Sequence, residues 1–339
     1  DDLFFIDKTL FIKEILETDG RVKLIPRPRR FGKTLNMSML SYFFEKPVDP
    51  GTGELAEKKN AHLFKGKKIE QCSKSMKQMG QWPTIFLSLR EIKEGEWERA
   101  YDKFADFIYQ EFLKHKYLVT SDKLTEEDKE ICKMFFARNA DRKYVDQSLK
   151  FLTEYLYKHH QKKVIVLIDE YDTPINYAYR NGYYDEMIEF CHSFYHAVFK
   201  DNKYLEFGII TGVMRMAKES IFSGLNNLSI FGVTHDAFAD KFGFTQDEVD
   251  VFLEEYGLSD LRDDVKEWYD GYQIGARKAA KNLYNPWSMI QFIANDGWFE
   301  NYWDNTSDSH ILQKIISYSG LDVKQKVDVL IQGEEIIEQ

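Results

Sequence analysis

Hydrophobic and polar positions follow two different periods along this chain. Short, nearly continuous apolar runs occur at Val22-Lys23-Leu24-Ile25, Pro83-Thr84-Ile85-Phe86-Leu87-Ser88-Leu89, Val164-Ile165-Val166-Leu167-Ile168 and Phe207-Gly208-Ile209-Ile210-Thr211, with a weaker one over 228–233. Runs of this length, rich in β-branched residues, predict strands buried on both faces, as in a parallel sheet. Between them the apolar period lengthens to three or four residues. Leu35, Met39, Leu40 and Phe43 predict one apolar helix face over 34–44, and Tyr184, Met187, Ile188, Cys191, Tyr195 and Val198 predict another helix before the fourth strand. Amphipathic segments near 97–114, 126–138 and 145–157 predict a helical insertion at about 97–160. Strands alternating with helices imply a right-handed, mostly parallel α/β sheet whose ligand crevice lies beyond the carboxyl ends of the strands.

The pattern changes near residue 234. Thr245-Gln246-Asp247-Glu248 reads as a capping box that opens an acidic amphipathic helix through Phe252 and Tyr256. Trp268-Tyr269-Asp270-Gly271-Tyr272 and Tyr284-Asn285-Pro286-Trp287-Ser288 read as turn-rich aromatic junctions, the second leading into a helix over 287–293. The expected organisation is a core over 1–235 and a mainly helical, lid-like region over 236–339. No internal repeat or low-complexity tract interrupts it.

Composition narrows the classes. The 339 residues are 43% hydrophobic and include 26 Phe and 20 Tyr, enough for a large aromatic core and incompatible with wholesale disorder. A formal charge of −10 argues against binding nucleic acid by blanket phosphate neutralisation, so any DNA contact is expected to be local. Cys72, Cys132 and Cys191 are odd in number, widely spaced and without a CxxC pair, which suggests neither a disulfide framework nor a thiolate zinc site. No run approaches 18 apolar residues, and the expectation is a soluble, cytoplasmic protein with no membrane partner. The chain begins at Asp1 and ends just after Gly333-Glu334-Glu335-Ile336-Ile337-Glu338, which reads as a piece of a longer protein.

The chemistry concentrates in Arg27-Pro28-Arg29-Arg30-Phe31-Gly32-Lys33-Thr34, which fits the GxxxxGK[ST] loop except that Arg27 stands at the first glycine position. A loop of inward-pointing N–H groups between a strand and a helix can cradle a triphosphate. Gly32 permits close backbone approach, Lys33 is expected to reach the β and γ phosphates, and Thr34 to ligate Mg²⁺. Arg29, Arg30 and Phe31 belong to the same cradle. Arg27 adopts positive φ less cheaply than glycine and Pro28 supplies no N–H, so the loop's shape is less determined than its role.

Asp169-Glu170 follows the most apolar strand. Asp169 is expected to orient a metal-bound water and Glu170 to polarise the attacking water, which makes Glu170, with Lys33, a catalytic candidate. Strands also end in acids that merely cap the next helix. Thr211 and Arg215 follow the fourth strand, where Thr211 is placed to sense the γ-phosphate and Arg215 is a third catalytic candidate, a surface arginine being the alternative. His192 and His196 share a helix face at a metal-binding spacing with no Glu between them, and metal binding is not expected there. The expected architecture is a three-layer P-loop nucleoside triphosphatase core.

Together these stretches resemble the AAA-ATPase-like family of bacterial P-loop proteins, related to the AAA and archaeal ATPases. The likeness runs through Phe5-Ile6-Asp7-Lys8-Thr9, residues 27–34, residues 167–172, Thr211-Gly212-Val213 with Arg215, and Ser220-Ile221-Phe222-Ser223-Gly224-Leu225-Asn226-Asn227, and extends to about residue 310 through Tyr269-Asp270-Gly271-Tyr272, Tyr284-Asn285-Pro286-Trp287-Ser288 and Tyr302-Trp303 with Thr306-Ser307. The resemblance implies ATP as the nucleotide, an arginine as the usual first loop residue, and longer members that continue into a PD-(D/E)xK nuclease-like domain. No such nuclease site is expected within these residues. The expectation is an ATP-binding, Mg²⁺-dependent hydrolase serving as switch or motor for an appended or partner effector related to DNA or a nuclease, with oligomers open. The alternatives are a non-hydrolysing nucleotide switch and a phosphotransferase acting on a small acceptor.

Overall fold

A computed structural model describes residues 5–57, 60–214, 221–276 and 280–302. In chain order its first elements are α1 (Leu10–Glu17), β1 (Val22–Pro26), α2 (Lys33–Phe44), α3 (Ser73–Met76) and β2 (Thr84–Ser88). The insertion follows as α4 (Trp97–Leu113), α5 (Glu126–Phe136), α6 (Arg142–Val145) and α7 (Ser148–His160). Next come β3 (Val164–Asp169), α8 (Thr173–Asn181), α9 (Tyr184–Phe199), β4 (Leu205–Gly212) and β5 (Leu228–Ile230). The remaining elements are α10 (Gln246–Glu255), α11 (Arg262–Tyr269), β6 (Asp270–Ile274), β7 (Lys281–Tyr284) and α12 (Pro286–Ala294).

The first five strands form one parallel sheet in the order β2-β3-β4-β1-β5. All six positions of β3 are buried, because successive side chains face opposite layers of a sheet that is covered on both sides. Val164, Val166 and Ile168 join a core with α4, α7 and α9, while Ile165 and Leu167 join a second core with α1 and α2. These two apolar layers make the three-layer α/β architecture. The register pairs Ser88 with Asp169 and Ile25 with Thr211, which gathers polar residues of three strands, β2, β3 and β4, at the carboxyl edge beside the end of β1.

Several local details depart from the periodicity. The buried side of α2 carries Met37, Leu40, Phe43 and Phe44, whereas Leu35 is 64% exposed, so the expected Leu35 face is rotated by about one position. The helix expected over 126–138 stops at Phe136, ahead of Arg138 in the left-handed region at φ 56°. The one expected over 145–157 runs instead from Ser148 to His160 and ends on left-handed Gln161. α8, which the periodicity did not single out, precedes α9 and is started by Pro174 and closed by Gly182 at φ 83°. The aromatic junctions after residue 268 form an antiparallel ribbon, β6 with β7, that buries Ile274, Leu283 and Tyr284.

One compact unit runs from Asp1 to Met289 and a second from Ile290 to Gln339. Within the first, the Asp7-Lys8-Thr9 motif is a staple. Lys8 Nζ donates to the Asp240 carbonyl at 2.8 Å and to Glu248 Oε2 at 2.5 Å, and Asp7 accepts from the backbone N–H groups of Thr9 and Lys68. Glu248 also closes the Thr245 capping box expected from sequence. The second unit's described residues place the Phe292 and Phe299 rings 4.9 Å apart.

Candidate functional site

The loop between β1 and α2 starts as an extension of the strand, with Arg27 N–H donating to the Gly212 carbonyl at 3.0 Å. Its left-handed residues are Arg30 at φ 65° and Gly32 at φ 76°, and Arg27 is not among them. The first position therefore needs no glycine. The Arg27 side chain is fully buried and donates from Nη1 to the carbonyls of Pro26 at 2.8 Å and Phe231 at 2.7 Å, and from Nη2 to that of Phe238 at 3.1 Å. Burial lowers its pKa to about 10, so it stays charged at neutral pH. The guanidinium fastens the loop from behind to the chain that follows β5.

Further contacts come from the same quarter. Phe31, almost fully buried, meets Tyr272 edge to face at 4.7 Å, and its carbonyl accepts from Gly243 N–H at 3.3 Å. A Cβ on Gly243 would stand 2.9 Å from the Phe31 ring, so glycine is required both for space and for its φ of 79°. Asn36 Nδ2 donates to the Lys241 carbonyl at 2.9 Å, and Asn285 Nδ2 to that of Arg29 at 3.4 Å. The Arg30 guanidinium lies over the Trp287 ring, 3.9 Å from its centroid.

Asp169 ends β3 fully buried. Its Oδ2 accepts from Thr34 Oγ1 at 2.7 Å and Ser88 Oγ at 3.3 Å, and its Oδ1 from Thr211 Oγ1 at 2.6 Å. Lys33, also buried, places Nζ 3.3 Å from Glu170 Oε1 and donates to the Pro28 carbonyl at 3.1 Å. Glu170 sits in the left-handed region at φ 55°, a conformation that costs a non-glycine residue about 1–2 kcal/mol and turns its carboxylate toward the loop.

The next two residues fix the exit of β4. Asp172 Oδ2 accepts from the N–H groups of Val213 at 3.0 Å and Met214 at 2.8 Å, and Tyr171 OH donates to the Met214 carbonyl at 2.8 Å. Burial pushes the Asp172 carboxyl above its ordinary pKa. A Cβ on Gly212 would approach Asp172 Oδ1 to 2.5 Å, which explains a glycine inside an otherwise apolar strand.

Of the residues singled out from sequence, Arg29, Arg30, Phe31, Gly32, Lys33, Thr34, Asp169, Glu170 and Thr211 come together at this edge. Arg215 lies outside the described residues. Ser88, Asp172, Asn285 and Trp287 were missed; Ser88 was detectable as the polar end of a buried strand, the others only through tertiary contacts. Hydroxyl and carboxylate oxygens are hard donors, so Thr34 and Asp169 suit Mg²⁺ rather than a soft metal. Among the described residues no group of three or more His, Cys, Asp or Glu side chains is placed to hold a metal ion. His192 and His196 are instead stacked with centroids 4.1 Å apart. Cys72, Cys132 and Cys191 are free, and no helix of the described residues is long and apolar enough to cross a membrane.

In comparison with known proteins, residues 1–222 match the AAA-ATPase_like family, described as Predicted AAA-ATPase. The chain is 24% identical over 328 residues to the "Uncharacterized protein in vnfD 5'region" of Azotobacter chroococcum mcd 1, covering 94% of this chain and 53% of that protein. It thus spans about half the length of that relative. No solved structure matches it. With the family match taking in the loop, both acids of the β3 tip and Thr211, the chain belongs to the AAA-ATPase-like family.

Proposed function

We propose that this chain binds ATP and hydrolyses it with Mg²⁺, in the cytoplasm, as a switch or motor for an attached or partner effector. The observation that carries the reading is the 2.7 Å hydrogen bond from Thr34 to Asp169, which joins the phosphate-binding loop to the acidic strand tip. Backbone N–H groups of residues 29–34 cradle the phosphates, with Arg29 and Arg30 adding charge. Thr34 ligates Mg²⁺ and Asp169 orients the metal's water shell. When bound, the metal neutralises charge building on the transferring phosphoryl group. Lys33 exchanges its contact with Glu170 for the β and γ phosphates, and the freed Glu170 carboxylate then polarises the attacking water. Thr211 reports on the γ-phosphate, and Arg215 stabilises its developing charge.

The part of the lid-like region that belongs to the first compact unit covers the loop, a reading supported by contacts from Lys241, Gly243, Tyr272 and Asn285. The effector, a nuclease-like domain or DNA reached through a partner, rests on the family resemblance. Phosphate release measured with and without Mg²⁺ tests the reading. Glu170→Gln should bind ATP and lose roughly 100-fold or more in turnover, while Lys33→Ala should lose binding. A second reading, a non-hydrolysing nucleotide switch, is favoured by Pro28, which supplies no N–H to the loop. Tight ATP binding without phosphate release from the unaltered protein would decide for it.

A further inference from the structure

Arg27 and Arg30 lie three residues apart and are treated very differently. Arg27 donates to three carbonyls, whereas Arg30 Nη1 is buried with no hydrogen-bond partner. Among the described residues no carboxylate forms an ion pair with Arg30, and burial, followed by the like-signed Arg90, lowers its pKa. Its backbone is left-handed at φ 65°, a strain that glycine would avoid. What holds the guanidinium is the Trp287 face at 3.9 Å. The loop thus carries a cation with spare donors, parked on an aromatic ring beside the place assigned to the phosphates.

Trp287 is in turn tied to the loop. Its N–H donates to Asn285 Oδ1 at 2.9 Å, and Asn285 Nδ2 donates to the Arg29 carbonyl at 3.4 Å. Trp287 stands in the first turn of α12, three residues before Ile290, where the second compact unit begins.

We propose that Arg30 is a two-position phosphate ligand. Without triphosphate its guanidinium stacks on Trp287; bound triphosphate draws it off the indole onto phosphate oxygens, so that the head of α12 registers what the loop holds. The inference rests on the reading of the loop as an ATP site. Bidentate guanidinium–phosphate hydrogen bonds are stronger than a partly exposed cation–π contact and give the idle Nη1 an acceptor, so the exchange runs toward the nucleotide. Trp287 is a positioning residue, touching Arg30 rather than the phosphates. Because the stack competes with the ligand, removing the ring should tighten ATP binding and removing the guanidinium should weaken it.

The test uses the full chain labelled with 5-fluorotryptophan, whose six tryptophans are resolved by ¹⁹F NMR, the Trp287 line being assigned by its loss in Trp287→Phe. Calorimetric titration with Mg²⁺ and ATP runs alongside. ATP should move the Trp287 line in the unaltered protein; in Arg30→Ala the line should start displaced and move little. Trp287→Ala should bind ATP about 2–5-fold more tightly and Arg30→Ala about 10-fold more weakly. The double variant should match Arg30→Ala, a non-additivity that independent structural damage does not produce. Trp287→Phe, which keeps a weaker aromatic face, should fall between Trp287→Ala and the unaltered protein. Binding heat with an unmoved Trp287 line, or a Trp287→Phe variant that binds ATP more weakly, would overturn the latch and leave the ATPase reading standing. Absence of ATP binding heat in the unaltered protein would overturn both.

Discussion

Asp169 at the tip of β3 and Glu111 in the last turns of α4 are both buried, at 0% and 2% exposure, and their neighbours differ in kind. Three hydroxyls, from Thr34, Ser88 and Thr211, surround Asp169, and among the described residues no cationic side chain forms an ion pair with it. Glu111 has Lys114 Nζ at 2.5 Å and His115 Nε2 at 3.8 Å. Burial works to raise the Glu111 pKa, yet these contacts win and hold it below the ordinary value. Hydroxyls stabilise a carboxylate without neutralising it, whereas cations consume its charge. An acid ringed by hydroxyls keeps its field for a cation brought by a ligand; an acid already paired with a lysine has become part of the scaffold.

Exchanging each acid for its amide should separate these roles. Asp169→Asn is expected to lower Mg²⁺-dependent phosphate release by about 100-fold or more while leaving the thermal midpoint nearly unchanged; a large fall in that midpoint with normal turnover would reverse the assignment. Glu111→Gln should do the opposite. Turnover stays as it was, and urea unfolding shows a loss of about 1–3 kcal/mol because Lys114 loses a charged acceptor.

The smallest effect concerns the histidine at the other end of the insertion's polar chain, where His115 Nδ1 meets Tyr117 OH at 3.1 Å and Tyr117 OH meets His160 Nε2 at 2.9 Å. Burial, with help from the neighbouring His159, lowers the His160 pKa to about 3 from its ordinary 6.5. The folded value lies below the unfolded one, so the unfolded chain binds more protons between those two pH values and stability falls as pH drops through that window. At pH 5.5 the loss should be about 1 kcal/mol relative to pH 7.5. His160→Gln should flatten that limb of the unfolding curve without altering the pH dependence of turnover.

Legibility in the sequence followed distance along the chain. The β3 run, the loop ending in Gly32-Lys33-Thr34 and the Thr245 capping box are local patterns, and each appears where its period or spacing placed it. The register that sets Ser88 beside Asp169 depends on strand pairing across 81 residues and has no local signature. The β6-β7 ribbon escaped notice because its aromatic and glycine residues also suit turns, and burial of Leu283 and Tyr284 decides between the two. Arg27 was misjudged for a related reason. Read as a substitute for glycine it suggested strain, but its meaning lies in carbonyls 204 and 211 residues away.

Those carbonyls bear on how such a protein can be inherited. The family match ends at residue 222, before Phe231 and Phe238, which accept two of the hydrogen bonds from the Arg27 side chain. A recombination event that joined residues 1–222 to an unrelated sequence would keep every residue of the phosphate motif and strand a buried positive charge directly behind it. The loop and the chain that follows β5 therefore form one structural unit, longer than the stretch that carries the recognisable signature.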